Sequence, residues 1–241
     1  AQRITLNNVS KKLNEQMKRG KGPFSCRDLC LKLEEDEKSK AETKRSLISK
    51  IMDLADKGII DLVDTVSPES IIEPGKLTII DMSSITDLYK KQVLLMYYAN
   101  KLFYLRKLSK VPPFVIFLEE AHQFIPQFSS ESKAKGIPSK SIMETIAREG
   151  RKFGACIVLI SQRPINLSTT ALSQCNTHVL LRIINPNDQD HISKSSEGLD
   201  KSTIQMLTTL RPGEAVIVGE ATNHPVFFTV RKRKSQPPFH N

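Results

Sequence analysis

The stretch "PPFVIFLEEAHQFIP", Pro112 to Pro126, decides how this chain is read. Phe114 to Leu118 is an uninterrupted apolar run, without the alternation of a half-exposed strand. Such runs belong to central strands of a parallel sheet, which are covered on both faces. The run ends abruptly on two adjacent carboxylates, Glu119 and Glu120. Ligands of doubly wound sheets gather at the C-terminal strand ends, so an acid pair is placed there for metal or nucleophile work. One acid can hold the magnesium of a nucleotide through water, while the other, nearer the γ-phosphate, orients or deprotonates the attacking water. The plainer alternative is that both acids stabilise the N-terminus of the "AHQFI" turn, where exposed N–H groups favour negative charge.

Runs of the same texture flank this one: "LTIIDM" at 77–82, "ACIVLIS" at 155–161, "THVLLRI" at 177–183, "EAVIVG" at 214–219 and "VFFTV" at 226–230. Helical segments separate them. Thr86 to Leu108 is apolar almost all round near "VLLMYYA", the mark of a deeply packed helix, and "SIMETIAREGRKFG" reads as another, ending close to Gly150 or Gly154. Strands alternating with helices at this spacing predict an α/β domain with a mostly parallel, doubly wound sheet over residues 71–241, closing on the basic tail "RKRK". Residues 1–70 differ: "CRDLCLKLEED" and "AETKRSLISKIMDLADKGII" have helical spacing, with Leu47, Ile51, Leu54 and Ala55 on one face and Gly58 where a C-cap belongs. They predict a small helical domain.

The chain has 241 residues, 39% of them hydrophobic, enough to bury a core. Its formal charge of +10 favours a polyanionic partner, nucleic acid before an anionic membrane surface. No apolar stretch approaches membrane-spanning length and "AQRITLNNVSKKL" contains no signal-peptide core. Four cysteines, at 26, 30, 156 and 175, form no dense framework, which points to a reducing, cytoplasmic setting. Cys26 and Cys30 lack a second pair of ligands and read as two helix positions one turn apart rather than a zinc site. Cys156 falls in an apolar run, where a thiol behaves as a small hydrophobe.

Two further features stand near the acid pair. The run at 155–161 ends in Ser161 and Gln162, polar residues at the tip of a strand that could touch the same phosphate. Between the two strands, Arg148 and Arg151 are three apart on one helical face. Arginine is a rigid, always-charged fork suited to a transferring phosphoryl group, and a neighbouring subunit can donate it as an arginine finger. A solvated basic face is the alternative for the two arginines.

Taken in order, "VIFLEEAHQFIP", "IAREGRKFGACIVLISQRP" and "HVLLRIINPNDQDHI" resemble the hexameric HerA ATPases, DNA translocases related to FtsK and to the conjugative coupling ATPases. The resemblance covers residues 77 to 241 and implies a RecA-like P-loop ATPase core acting on ATP and Mg2+. It implies that Glu119 is the Walker B acid holding magnesium through water and Glu120 the catalytic glutamate. Gln162 resembles the polar sensor, and Arg151, with Arg148 as second choice, the arginine finger acting in trans. Arg182 is a further nucleotide-side candidate. Double-stranded DNA, a homo-hexameric ring and a nuclease of the NurA kind are the partners the resemblance implies.

The sequence departs from that pattern in one respect. No GxxxxGK[ST] occurs; "GKGP" at 20–23 and "GKL" at 75–77 fail the spacing and the final hydroxyl. The backbone cradle, lysine and hydroxyl that hold phosphates and magnesium are therefore not in this sequence. The chain reads as the C-terminal portion of a HerA-like protein, with 1–70 as the helical insertion between the nucleotide motifs, and is expected not to hydrolyse ATP by itself. In the loop "SSESKAKGIPSK", Lys133, Lys135 and Lys140 are candidate contacts to DNA phosphates. A second function class remains open: a non-enzymatic DNA-binding module, with "CRDLCLKL" and "ETKRSLISKIMDLADKGIIDLVD" as helices and wing of a winged helix-turn-helix unit.

Overall fold

The structure, a computed structural model, describes residues 2–56, 58, 66–127, 136–196 and 199–235. They divide into two compact units, residues 1–94 and 95–241.

The first unit is built on α1 (Gln2–Lys18), α2 (Cys26–Glu34) and α3 (Ala41–Asp56). Thr5, Val9 and Leu13 recur every four residues along α1 and are its buried positions. Ser25 starts α2 with a capping box: its side chain accepts from the Asp28 N–H, while the Asp28 carboxylate accepts from the Ser25 N–H at 2.7 Å. The Ser25 hydroxyl also donates to that carboxylate at 2.7 Å, and this bond together with the one from the Ser25 N–H holds the Asp28 carboxyl below its usual range. Val9, Leu13, Cys30, Leu33, Leu47 and Ile51 close the core between the helices. Cys26 and Cys30 both lie on α2 as free thiols, one turn apart, and burial pushes the Cys30 thiol up. Gly58 has φ 61° and donates its N–H to Ala55 O, the left-handed close of α3. Residues 59–65, where a wing was expected, lie outside the described residues.

The run "LTIIDM" at 77–82 was expected to be a strand and is not one. The run pairs with no strand among the described residues, and Leu77 and Ile79 are 79% and 78% exposed. Helix α4 (Leu88–Lys107) follows. It is less deeply packed than its composition suggests: Ala99, Leu102, Phe103 and Leu105 are buried, but Tyr97 and Tyr104 are exposed.

The second unit carries the site. Strand β1 (Phe114–Leu118) pairs in parallel with β2 (Ala155–Leu159), Phe114 opposite Ala155 and Leu118 opposite Leu159. The crossover between them contains α5 (Pro138–Glu149) and a 3-10 turn, Gly150–Phe153. Pro138 starts α5 where its missing N–H costs nothing, and Ile142, Met143 and Ile146 are the face it buries. Gly150 is buried because nothing larger fits: a Cβ there would lie 2.0 Å from Ala155 O. Coverage of β1 is one-sided, since Val115 and Phe117 are 50% and 62% exposed while Leu118 is buried. The expectation of a strand covered on both faces therefore fails for β1, and Cys156 on β2 is likewise exposed rather than buried.

Beyond β2 come a short helix α6 (Thr169–Leu172), β3 (Thr177–Leu180), α7 (Pro186–Ser195), α8 (Lys201–Leu207), β4 (Glu214–Gly219) and β5 (Val226–Thr229). Strands β3, β4 and β5 form an antiparallel meander, not a continuation of a parallel sheet. Six residues separate β4 from β5, too few for the crossover that a parallel pair requires. Leu180, Ile192, Leu207, Leu210, Val216 and Val218 form the core under this meander. No helix of the described residues is long and apolar enough to cross a membrane.

Candidate active site

The parallel register brings the ends of β1 and β2 side by side, and the ladder continues past both strands. Ile160 N–H donates to Leu118 O at 3.0 Å and Ala121 N–H donates to Ile160 O at 2.9 Å. Glu119 and Glu120 therefore leave β1 next to Ser161 and Gln162 leaving β2. Glu119 is exposed. Glu120 has φ 48° and ψ 45°, a left-handed conformation that a residue with a side chain rarely adopts and that recurs at functional sites. The bend turns the chain at once into the 3-10 turn Ala121–Gln123, where Gln123 N–H donates back to Glu120 O at 2.9 Å.

The bend places the Glu120 carboxylate between two polar groups. Gln162 Nε2 lies 3.4 Å from its Oε1. His122 Nδ1 lies 3.3 Å from its Oε2 and 3.0 Å from Ser161 Oγ. Ser161 Oγ also accepts from the Arg163 N–H at 3.1 Å. The structure thus places Gln162 against Glu120, with Glu119 and Ser161 beside them at the strand tips, and adds His122. His122 was missed because the pairing that gives it meaning spans 39 residues of sequence; its position two residues after Glu120, in "EEAH", was the available signal.

The arginines lie elsewhere. Arg148 ends α5 and Arg151 stands in the turn that precedes β2, both exposed. They sit at the opposite end of β2 from Gln162, separated by about 17 Å of extended chain. Arg182 is exposed two residues past the end of β3. None of the three shares the strand tips with Glu120.

The lysines divide. Lys133 and Lys135 lie outside the described residues. Lys140 does not belong to a solvated loop: it sits in the first turn of α5, 6% exposed, donating from Nζ to Pro126 O at 2.8 Å, with Glu144 at 3.9 Å. Burial lowers its ammonium below the usual lysine range, opposed by Glu144. Its partner is a backbone carbonyl, which makes it a brace for the segment after the site rather than a DNA contact.

Among the described residues no group of three or more His, Cys, Asp or Glu could hold a metal ion. A magnesium ion at Glu119 would take most of its ligands from phosphate and water, as magnesium commonly does. The tips offer an acid for such an ion, an acid for a water and an amide for a phosphate oxygen, but no backbone cradle.

No protein-family model matches the chain. Among curated proteins it is similar to the "DNA double-strand break repair helicase HerA" of Sulfurisphaera tokodaii, 31% identical over 219 residues, 86% of this chain and 42% of that protein. The HerA of Sulfolobus acidocaldarius is 28% identical over 247 aligned positions, 95% of this chain and 48% of that protein. The HerA of Pyrococcus furiosus is 44% identical over 126 residues, 51% of this chain and 22% of that protein. The chain thus spans about half, or less, of the length of the curated relatives it matches. Among solved structures, VirB4 of Thermoanaerobacter pseudethanolicus has a TM-score of 0.66 at 12% identity, over 97% of this chain and 64% of that one. The genome packaging NTPase B204 of Sulfolobus turreted icosahedral virus 2, in complex with ATP-gammaS, has a TM-score of 0.50 at 17% identity, over 70% of this chain and 74% of that one. These likenesses fix the fold as a partial RecA-like ATPase core. The chain is HerA-like, homologous over nearly its whole length to part of the archaeal HerA helicases.

Proposed function

We propose that this chain is the water-activating part of an ATP-driven DNA translocase of the HerA type, working on double-stranded DNA in the repair of its ends. The observation that carries the reading is the meeting of Glu120 and Gln162 at adjacent strand tips, with Glu120 held in a left-handed bend. Glu120 orients and deprotonates the attacking water; Glu119 holds magnesium through water; Gln162 contacts the γ-phosphate. Bound nucleotide supplies the phosphoryl group, and the phosphate cradle comes from outside this sequence.

Arg151, exposed and remote from the tips, serves a neighbour's site in a homo-hexameric ring, with Arg148 and Arg182 as the other candidates. A strand length of separation rules out direct service to its own Glu120. Lys133 and Lys135 remain candidate contacts to the DNA backbone, and a nuclease of the NurA kind is the partner that would use the translocated end.

The test uses the full-length protein. Glu120→Gln keeps ATP binding and lowers hydrolysis by about a hundredfold or more, the scale of a lost general base. Arg151→Ala keeps binding and lowers turnover by about a thousandfold. Mixing the two variants restores partial activity at junctions where an intact Arg151 meets an intact Glu120. Equal loss of nucleotide affinity in Glu120→Gln would move that residue from catalysis to binding. Mixed rings that assemble without recovery at any ratio would remove Arg151 from the interface.

A further inference from the structure

Resting on the reading of Glu120 as the acid that activates water, we propose that His122 is its positioning residue, clamping the carboxylate from the side opposite Gln162 and tying it to Ser161 on the neighbouring strand. The two oxygens of Glu120 are held by different groups: Oε1 by Gln162 Nε2 at 3.4 Å, Oε2 by His122 Nδ1 at 3.3 Å. A glutamate side chain rotates about three bonds, and a single contact leaves the carboxylate plane free to turn. Two contacts on opposite oxygens fix it. The Gln162 contact is long for a hydrogen bond and the His122 contact is an ion-pair approach, and catalytic contacts of this kind tighten once substrate is bound.

The imidazole is itself held. Ala121, fully buried, anchors the turn by donating its N–H to Ile160 O at 2.9 Å, and Ser161 Oγ meets His122 Nδ1 at 3.0 Å. An ionised carboxylate only accepts hydrogen bonds, so the proton facing Glu120 belongs to Nδ1. The single Nδ1–H is then shared between Glu120 Oε2 at 3.3 Å and Ser161 Oγ at 3.0 Å, and Ser161 Oγ, which also accepts from the Arg163 N–H, is positioned by the backbone of β2 beyond the strand end. The order is acid, imidazole, hydroxyl, each oriented by the next, with the base directed by a second group and that group by a third. His122 acts on the water through Glu120 and does not touch the reacting atoms.

The experiment measures steady-state ATP hydrolysis by the full-length protein carrying His122→Ala, His122→Asn or His122→Gln, each also in a Glu120→Gln background. His122→Ala is expected to lower kcat by about ten- to a hundredfold, the scale for a group that orients another, with KM for ATP unchanged. His122→Asn, whose amide reaches the place of Nδ1, recovers most of that loss; His122→Gln, whose amide reaches the place of Nε2, does not. In the Glu120→Gln background His122→Ala causes no further loss, because its effect passes through the missing carboxylate.

A wild-type kcat in His122→Ala, a raised KM with kcat intact, or losses that multiply in the double variant would each overturn the assignment. If His122→Ala does not fold, the contrast between His122→Asn and His122→Gln decides it, and equal activities overturn it. Glu120→Gln alone separates the two levels. Full activity there sinks the reading of the site, whereas a large loss there beside a silent His122 sinks only the clamp.

Discussion

Residues 77–82 and 114–118 are both short apolar runs leading into an acid, Asp81 in one and Glu119 in the other, yet only the second forms a strand. Residues 114–118 have β2 beside them, paired along all five positions. Residues 77–82 have no such neighbour among the described residues, and their acid is used locally. The Asp81 carboxylate accepts from the Ser83 N–H at 2.8 Å, which holds its carboxyl below the usual range. Hydrophobicity marks a segment as fit for burial, but a strand also requires another backbone to take its N–H and C=O groups. The acid that ends a paired strand is presented to the next strand's tip, and this is what distinguishes Glu120 from Asp81.

The comparison breaks most severely if β2 is displaced. Gly150→Ala forces a Cβ onto Ala155 O, the carbonyl of the first residue of β2. The expected cost is about 4 kcal/mol or more in urea denaturation, the range of large steric mutations. Amide exchange over 114–118 would then rise toward that of 77–82. Leu118→Ala removes the buried end of β1 and is expected to cost about 2–4 kcal/mol by cavity formation.

A third paired run gives a milder, pH-dependent test. Desolvation lowers the pKa of the half-buried His178 on β3 below the ordinary histidine value of 6.5, against a hydrogen bond to the Cys175 backbone carbonyl that raises it. The unfolded chain then binds more protons than the folded one as pH falls. Stability contributed by neutral His178 is fully present above pH 6.5 and is lost progressively as pH falls through the lowered folded value. Thermal melts between pH 7 and 5 should flatten in His178→Gln relative to the parent chain. The smallest effect is expected at the unpaired run: Ile79→Ala changes stability by no more than about 0.5 kcal/mol, as at other exposed positions. A loss near that of Leu118→Ala would show the run buried in solution.

What was legible in the sequence follows the range of the interaction. The helices of the first unit, the two apolar runs that became β1 and β2, and the glycine-closed end of α3 are written in neighbouring residues. The hairpin of β4 and β5 was expected to be part of a parallel sheet, although the six residues between them are too few for a parallel crossover. Lys140 was misread because its partner, Pro126 O, lies 14 residues away, and composition alone made its surroundings look solvated. Val115 and Phe117 were expected inside because a continuous run does not say whether both faces are covered. At the site, Glu119, Glu120 and Gln162 could be read from strand ends, but the His122 to Ser161 contact exists only once two distant strands are in register.

Strand β2 has one more consequence, and it is mechanical. The turn that carries Arg151 runs directly into its first residue, and Gln162 stands just beyond its last. An extended chain has no slack along its length, and β2 is bonded to β1 throughout. It is a connecting rod between an outward-facing arginine and the group that touches Glu120. A displacement of the Gly150–Phe153 turn would be carried along the strand toward the Gln162 amide, 3.4 Å from Glu120 Oε1, so that load applied at one end of the rod would be felt as geometry at the other.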